Sequence, residues 1–283
     1  MCRLFGFRSV IPSQVHRSLL SADNALCNLS NQHPDGWGVA FYVEGAPHVT
    51  RSPERAYGDQ LFHRVSGVVA SETVLAHVRK ATQGSLGVLN CHPFQYGRWT
   101  FAHNGDVPRF SELRPALLAR VDPDLARYVL GETDSEVVFF LFLTALRRKG
   151  PIGGTFTVPE VASALSEAVA IVRDLADRPG EAASLLTLVV TNGTTMAATM
   201  GGKELYYSTH KRRCADRESC ASLSPECEAP TRSGRVNHFV VSSEPILGEN
   251  VWIPLGHSEV VGVDDRMNLH HGSLGRLVLS VVA

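Results

Sequence analysis

SLLTLVVTNGTTMAATM, residues 184–200, decides how this chain folds. Two apolar runs flank a polar centre, and Asn192–Gly193 is the dipeptide that closes tight antiparallel turns. The segment therefore reads as a β-hairpin. Two helices precede it. TDSEVVFFLFLTALRRKG (133–150) is the best-marked helix in the chain. Thr133 and Glu136 match a capping box, in which each side chain caps the other's backbone amide. Arg147, Arg148 and Lys149 suit the negative helix end, and Gly150 suits the stop. The helix is apolar nearly all round, so it is expected to be buried. A second long helix is predicted over roughly 159–177, with Pro159 in its first turn.

Beyond the hairpin the chain stays β: KELYYST (203–209), NHFVVSS (237–243), HSEVVGV (257–263) and LGRLVLSVV (274–282) are strand patterns. On the N-terminal side, residues 2–10 form a strand carrying Leu4, Phe5, Phe7 and Val10. Ser13 is placed to cap a helix whose apolar stripe is Val15, Leu19, Ala22, Leu26 and Leu29. HPDGWGVAFYV (33–43) is a turn leading into a strand, PHVTRS (47–52) its partner, and 54–65 a weak helix. TVLAHVRKAT (73–82) and RWTFAHNGD (98–106) are strands running into polar tips, where functional residues often sit. Strands, two helices, then strands is not the βαβ alternation of a parallel sheet. The order favours an antiparallel α+β or layered sheet-on-sheet domain with helices outside. No Pro/Gly/Ser-rich linker divides the chain, so residues 2–283 read as a single domain, with 209–235 an inserted polar loop within it.

The formal net charge is -1, from 27 basic and 28 acidic residues in 283. That balance gives no field for nucleic acid or an anionic membrane surface. The longest apolar run, VVFFLFLTAL, is about half of the roughly 20 residues a membrane span needs. Arg3 and Arg8 are followed by no sustained apolar stretch, so no secretory signal is expected and the default address is cytoplasmic. Six irregularly spaced cysteines do not form a disulfide framework, and most are expected to be reduced thiols.

Four segments are more polar than their context requires: MCRLFG, HVRKAT, AHNGD and GETDSE. Singly, each has an ordinary explanation. Cys2 is a core thiol, Arg79 a surface charge, Asn104–Gly105 a turn, and Thr133–Asp134 a helix start. Together they fit one reaction, attack on an amide borne by an amino acid. A cysteine exposed by removal of Met1 carries its own base, because an α-amine has a pKa of about 7.7–8.0. The Asn104 side chain and the Gly105 N–H can stabilise a tetrahedral oxyanion. Arg79 can take an α-carboxylate in bidentate fashion, and Asp134 an α-ammonium at a fixed helix start.

On these stretches the chain resembles the class II (N-terminal nucleophile) glutamine amidotransferase domain. MCRLFGF, DGWGVAFY, AHVRKAT, NCHPF, FAHNGD and GETDSE occur in the family's order, and VVSSEPI and IPLGH also match. The resemblance implies a four-layer αββα sandwich, the Ntn-hydrolase fold, and cleavage of a γ-glutamyl amide through a γ-glutamyl thioester. It implies Cys2 as nucleophile and its amine as base. Asn104 and Gly105 become the oxyanion hole, and Arg79 and Asp134 the grip on the glutamyl moiety. Thr82 and His92 match positions lining the same pocket. For His92 an ordinary strand-end histidine before Pro93 is an equal alternative, and Trp37 is read as packing.

The short stand-alone branch, which includes the γ-glutamyl hydrolases of ergothioneine synthesis, is the nearest in pattern. Three activities stay open: a hydrolase of glutamine or a small γ-glutamyl conjugate, a glutaminase subunit feeding ammonia to a separate synthase, and a non-catalytic binding module. No cofactor is implied, and the expected partner is a small-molecule substrate. His210, Cys214, Cys220 and Cys227 could supply four zinc ligands, but their spacing lacks the paired CxxC signature. The alternatives there are a polar loop with incidental thiols or a lid over the site; no metal site is assigned. Lys211, Arg212 and Arg213 are read as a solvated face. Cys27 and Cys91 have no visible base.

Overall fold

In a computed structural model, the protein is described over residues 2–15, 17–214, 217–218, 223–230, 234–274 and 276–278. The chain begins with β1 (Arg3–Gln14), a single wide turn at Arg17–Ser21 and the short α1 (Leu26–Leu29). There follow β2 (Trp37–Val43), β3 (Ala46–Ser52), α2 (Gln60–Val68) and β4 (Ala70–Val78). β5 (Phe94–Tyr96) and β6 (Trp99–Asp106) form a hairpin. Four helices come next: α3 (Phe110–Leu118), α4 (Pro123–Ala126), α5 (Asp134–Arg147) and α6 (Val158–Ala176). The hairpin read at 184–200 is β7 (Leu185–Thr191) and β8 (Met196–Thr199), joined by a four-residue loop with Gly193 at φ 95°. β9 (Tyr206–Ser208), β10 (His238–Ser242), β11 (Ile253–Pro254), β12 (Glu259–Val263), β13 (Leu269–Ser273) and β14 (Arg276–Val278) complete the chain.

The strands form two antiparallel seven-stranded sheets, ordered β11-β9-β10-β1-β4-β2-β3 and β14-β13-β12-β8-β7-β6-β5. Side chains alternate across each strand, and both faces here are apolar because both are covered. Leu4, Ala40 and Leu75 from the first sheet meet Ala102, Val189, Met196 and Ala198 from the second in one core between the sheets. Their neighbours Phe5, Val39, Val74 and Ala76 face the other way, onto Leu19, Leu26 and Phe62 of the N-terminal helical segments. Phe101, Leu188, Val190 and Ala197 likewise face outward onto α3, α5 and α6. The layers are helix, sheet, sheet, helix.

Helix α5 is buried from Asp134 to Leu146, as its all-round apolarity requires. Helix α6 has a complete capping box between Thr157 and Glu160. Two local expectations are corrected. Thr133 does cap Glu136 N, at 3.2 Å, but Glu136 turns back to accept from Leu130 N and Gly131 N instead. The continuous helix expected after Ser13 does not form. β1 runs on through Ser13 and Gln14, which pair with Ser71 and Ala70 past a bulge. Sheet pairing outcompetes the helical stripe, and Val15, Leu19, Ala22 and Leu26 reach the same core from an irregular segment. Among the described residues no helix is long and apolar enough to cross a membrane.

Candidate active site

Pairing of β1 with β4 sets Arg3 opposite Val78, so Cys2 falls beside Arg79 and Lys80 at the end of that pair. Cys2 is buried, and the Lys80 amide donates to its Sγ at 3.3 Å while Sγ lies 3.5 Å from the Lys80 carbonyl. Burial pushes the Cys2 thiol above its ordinary pKa, opposed by the Lys80 amide and by Arg79 and reinforced by Asp134. The resting sulfur is therefore a neutral thiol that needs a base to become a nucleophile.

Arg79 is 2% exposed, and its guanidinium donates only to carbonyls, of Ser85 (3.2 Å), Gln83 (2.7 Å) and Gly84 (3.5 Å). Among the described residues no carboxylate pairs with it. The turn before β2 fixes this loop from below. Asp35 N donates to Arg79 O, Arg79 N to Gly36 O, and Ala81 N to the Asp35 carboxylate at 2.8 Å. This is the structural work of DGWG. Gly38 lets β2 lie directly on the backbone of His92, because a Cβ there would overlap the His92 carbonyl. Trp37 is fully buried, stacks edge-on against Phe62 and donates to Asp59, a packing role.

β6 carries the next residues. Phe101 faces the helices and Ala102 the inter-sheet core, so alternation sends His103 toward α5 and Asn104 inward. Asn104 Nδ2 donates to Ser243 Oγ at 3.4 Å, and its buried Oδ1 has no partner. Gly105 is opposite Leu186, whose N–H points away to Gly201 O. In an antiparallel ladder, opposed residues alternate between bonded and unbonded pairs. The Gly105–Leu186 pair is thus the unbonded kind, and the Gly105 N–H faces the side where β5 has already ended. A Cβ at Gly105 would overlap Leu185 O and the His103 ring.

At the start of α5, Asp134 accepts from Val107 N (2.9 Å) and from Ser135 N (2.7 Å). It is 3% exposed, and burial raises its pKa while His103 and the backbone donors oppose the rise. No cation pairs with it among the described residues. His92 is buried with both ring nitrogens unpartnered, packed on His77 (4.2 Å between centroids) and Phe94. Burial drives its pKa well below the ordinary histidine value, so the ring is neutral.

Cys2, Arg79, Thr82, His92, Gly105 and Asp134 line one small cavity together with Lys80, Gln83, His103, Thr133 and Ser135. Its free volume is about 10 Å³, room for no more than one water. Asn104 stands behind Gly105 rather than in the lining. A larger groove of about 520 Å³, lined by Tyr96, Arg98, Arg127 and Arg147 among others, holds no thiol or imidazole. Gln83, His103, Ser135 and Ser243 were not singled out from the sequence. His103 was legible in principle, since period-two alternation from Phe101 points it at α5. Of the proposed zinc set, Cys220 lies outside the described residues, and Cys214 and Cys227 are free thiols. Among the described residues no cluster of His, Cys, Asp or Glu could hold a metal.

The layered sandwich and its strand order are those of the Ntn-type fold, and the cluster sits at the ends of its strands. Residues 1–259 match the family model for class II glutamine amidotransferases, and the chain belongs to that family. A Saccharomyces cerevisiae protein named "Probable glutamine amidotransferase DUG3" is 29% identical over 69% of this chain and 62% of its own. The γ-glutamyl-hercynylcysteine sulfoxide hydrolase of Mycobacterium tuberculosis is 45% identical over 26% of this chain and 33% of its own. The chain thus spans less than two thirds of either relative. A glutamine aminotransferase class-II domain protein of Silicibacter pomeroyi superposes with a TM-score of 0.64 at 22% identity, covering 97% of this chain and all of that one.

Proposed function

We propose that the protein hydrolyses the γ-amide of glutamine or of a small γ-glutamyl conjugate, with Cys2 as the nucleophile once Met1 is removed. One observation carries this reading: a buried, unpaired guanidinium and a buried, unpaired carboxylate flank the same thiol. Burying isolated charges is costly, and a glutamyl α-carboxylate and α-ammonium would satisfy both at once. Arg79 takes the carboxylate and Asp134 the ammonium, which places the γ-carbonyl at Cys2.

The Cys2 α-amine takes the thiol proton, and Sγ attacks the γ-carbon. The outward Gly105 N–H receives the oxyanion, joined by the Asn104 amide as it turns from Ser243 into the cavity. The amine's proton passes to the departing nitrogen, leaving a γ-glutamyl thioester. Water, deprotonated by the same amine, then displaces Sγ and releases glutamate. The cavity is too small for a glutamyl group as it stands, so the exposed Thr82–Gln83 wall must shift on binding. The hydrolase relative supports a conjugate as substrate, since its name records a γ-glutamyl compound.

Glutamate release from glutamine and from γ-glutamyl conjugates tests the reading. Activity on at least one, lost by about 10³-fold or more in Cys2→Ala, is the expected result. Full activity of Cys2→Ala rejects the mechanism. A second reading has its own observation. Leu86, Val88, Leu89 and Leu130 are exposed on the two segments flanking the cavity, and an apolar rim suits docking of an ammonia-consuming synthase. Low activity alone, raised by such a partner, would favour that reading.

A further inference from the structure

His103 has no part in the mechanism above, yet it is 1% exposed, lines the cavity and makes two short contacts. Its Nε2 lies 2.7 Å from Leu185 O. A carbonyl only accepts, so Nε2 carries the proton. Its Nδ1 lies 2.9 Å from Ser135 Oγ. That hydroxyl is also 3.1 Å from Asp134 Oδ1. Ser135 has one hydroxyl proton and two acceptors competing for it. His103, Ser135 and Asp134 are all buried, where such hydrogen bonds are strongest. Val107 N holds the other carboxylate oxygen.

We infer that His103 is a positioning residue: through Ser135 Oγ it fixes the orientation of the Asp134 carboxylate that receives the substrate's α-ammonium. The inference rests on the assignment of Asp134 under the proposed function. An arriving ammonium takes the place of the Ser135 hydroxyl as donor to Asp134 Oδ1, and the hydroxyl rotates to donate to His103 Nδ1 instead, so that no proton is transferred.

Calorimetric binding of glutamate and of glutarate, which lacks only the α-amine, separates this role from a structural one. Wild type is expected to bind glutamate more tightly than glutarate. Ser135→Ala is expected to lose about tenfold for glutamate and less than twofold for glutarate, and Ser135→Thr, which keeps the hydroxyl, to recover most of it. His103→Gln, which can still donate toward Leu185 O but lacks Nδ1, should behave as Ser135→Ala. An equal loss for both ligands, or none for glutamate, overturns the inference. Failure of wild type to prefer glutamate overturns the Asp134 assignment itself, a different outcome. Should His103→Gln not fold, the Ser135 pair decides alone.

Discussion

The β1–β4 pair buries two arginines, and they are used differently. Within the pair, just before its bulge, Arg8, opposite Thr73, is 5% exposed and meets Glu72 at 3.3 Å, with Thr194 O as a further acceptor. Burial pulls its pKa down and the Glu72 carboxylate opposes the shift, so its charge is answered inside the protein. Arg79, directly after the last residue of β4, is as deeply buried, but among the described residues its guanidinium bonds only to carbonyls. One sheet thus carries an arginine with a carboxylate partner and another without one among the described residues. On the proposed function the substrate's carboxylate supplies that partner.

The sharpest way to break this contrast is to substitute both arginines alike. Arg79→Lys keeps the charge and loses the planar fork, so kcat/KM for a γ-glutamyl substrate is expected to fall about 100-fold. Arg8→Lys should leave kcat/KM unchanged and lower only the melting temperature. Equal effects on activity would erase the distinction between the two arginines.

Asp134→Asn comes next, with KM expected to rise about tenfold or more and kcat to change little, the pattern for lost ground-state binding. The carboxylate's raised pKa also has a sign. It takes up a proton at a pH above the ordinary carboxylate range, so affinity for the substrate should weaken on the acid side earlier than for a solvated aspartate. An acid limb that Asp134→Asn leaves in place would assign it to another group.

Stability should respond to pH through different residues. Burial lowers His77 and His238 to about 3. A depressed folded pKa gives stability that is present above the unfolded value, about 6.5, and is lost as pH falls toward 3. Each contributes a slope of at most about 1.4 kcal/mol per pH unit in that window. Denaturant titrations at pH 7, 6, 5 and 4 should show the loss, and His238→Gln should flatten it without touching activity.

The smallest effects compare two helix caps. Thr157→Ala should cost about 1 kcal/mol and leave kcat/KM alone. Thr133→Ala removes a similar cap bond but lies in the cavity wall, so it should also lower kcat/KM.

These contrasts mark what the sequence could reveal. The layered α+β sandwich was legible because period-two alternation and Asn192–Gly193 are local signals. The candidate residues were legible because they sit in short polar tips of strands and at one helix start. Charge pairing was not, since Arg8 and Arg79 look alike in a string and differ only in what the tertiary fold sets beside them. The segment after Ser13 misled because its apolar stripe fits a helix, while the partner that extends β1 at Ser13 lies far along the chain at Ser71. Ser135 was hidden in a helix-start motif, and its link to His103 exists only across the packed layer.

The most direct test of the central claim is the intact mass of the purified protein before and after a diazo-ketone analogue of glutamine. The account expects loss of Met1, then a single adduct that maps to Cys2. Retained Met1 with no adduct would leave the buried thiol without its base and contradict the account.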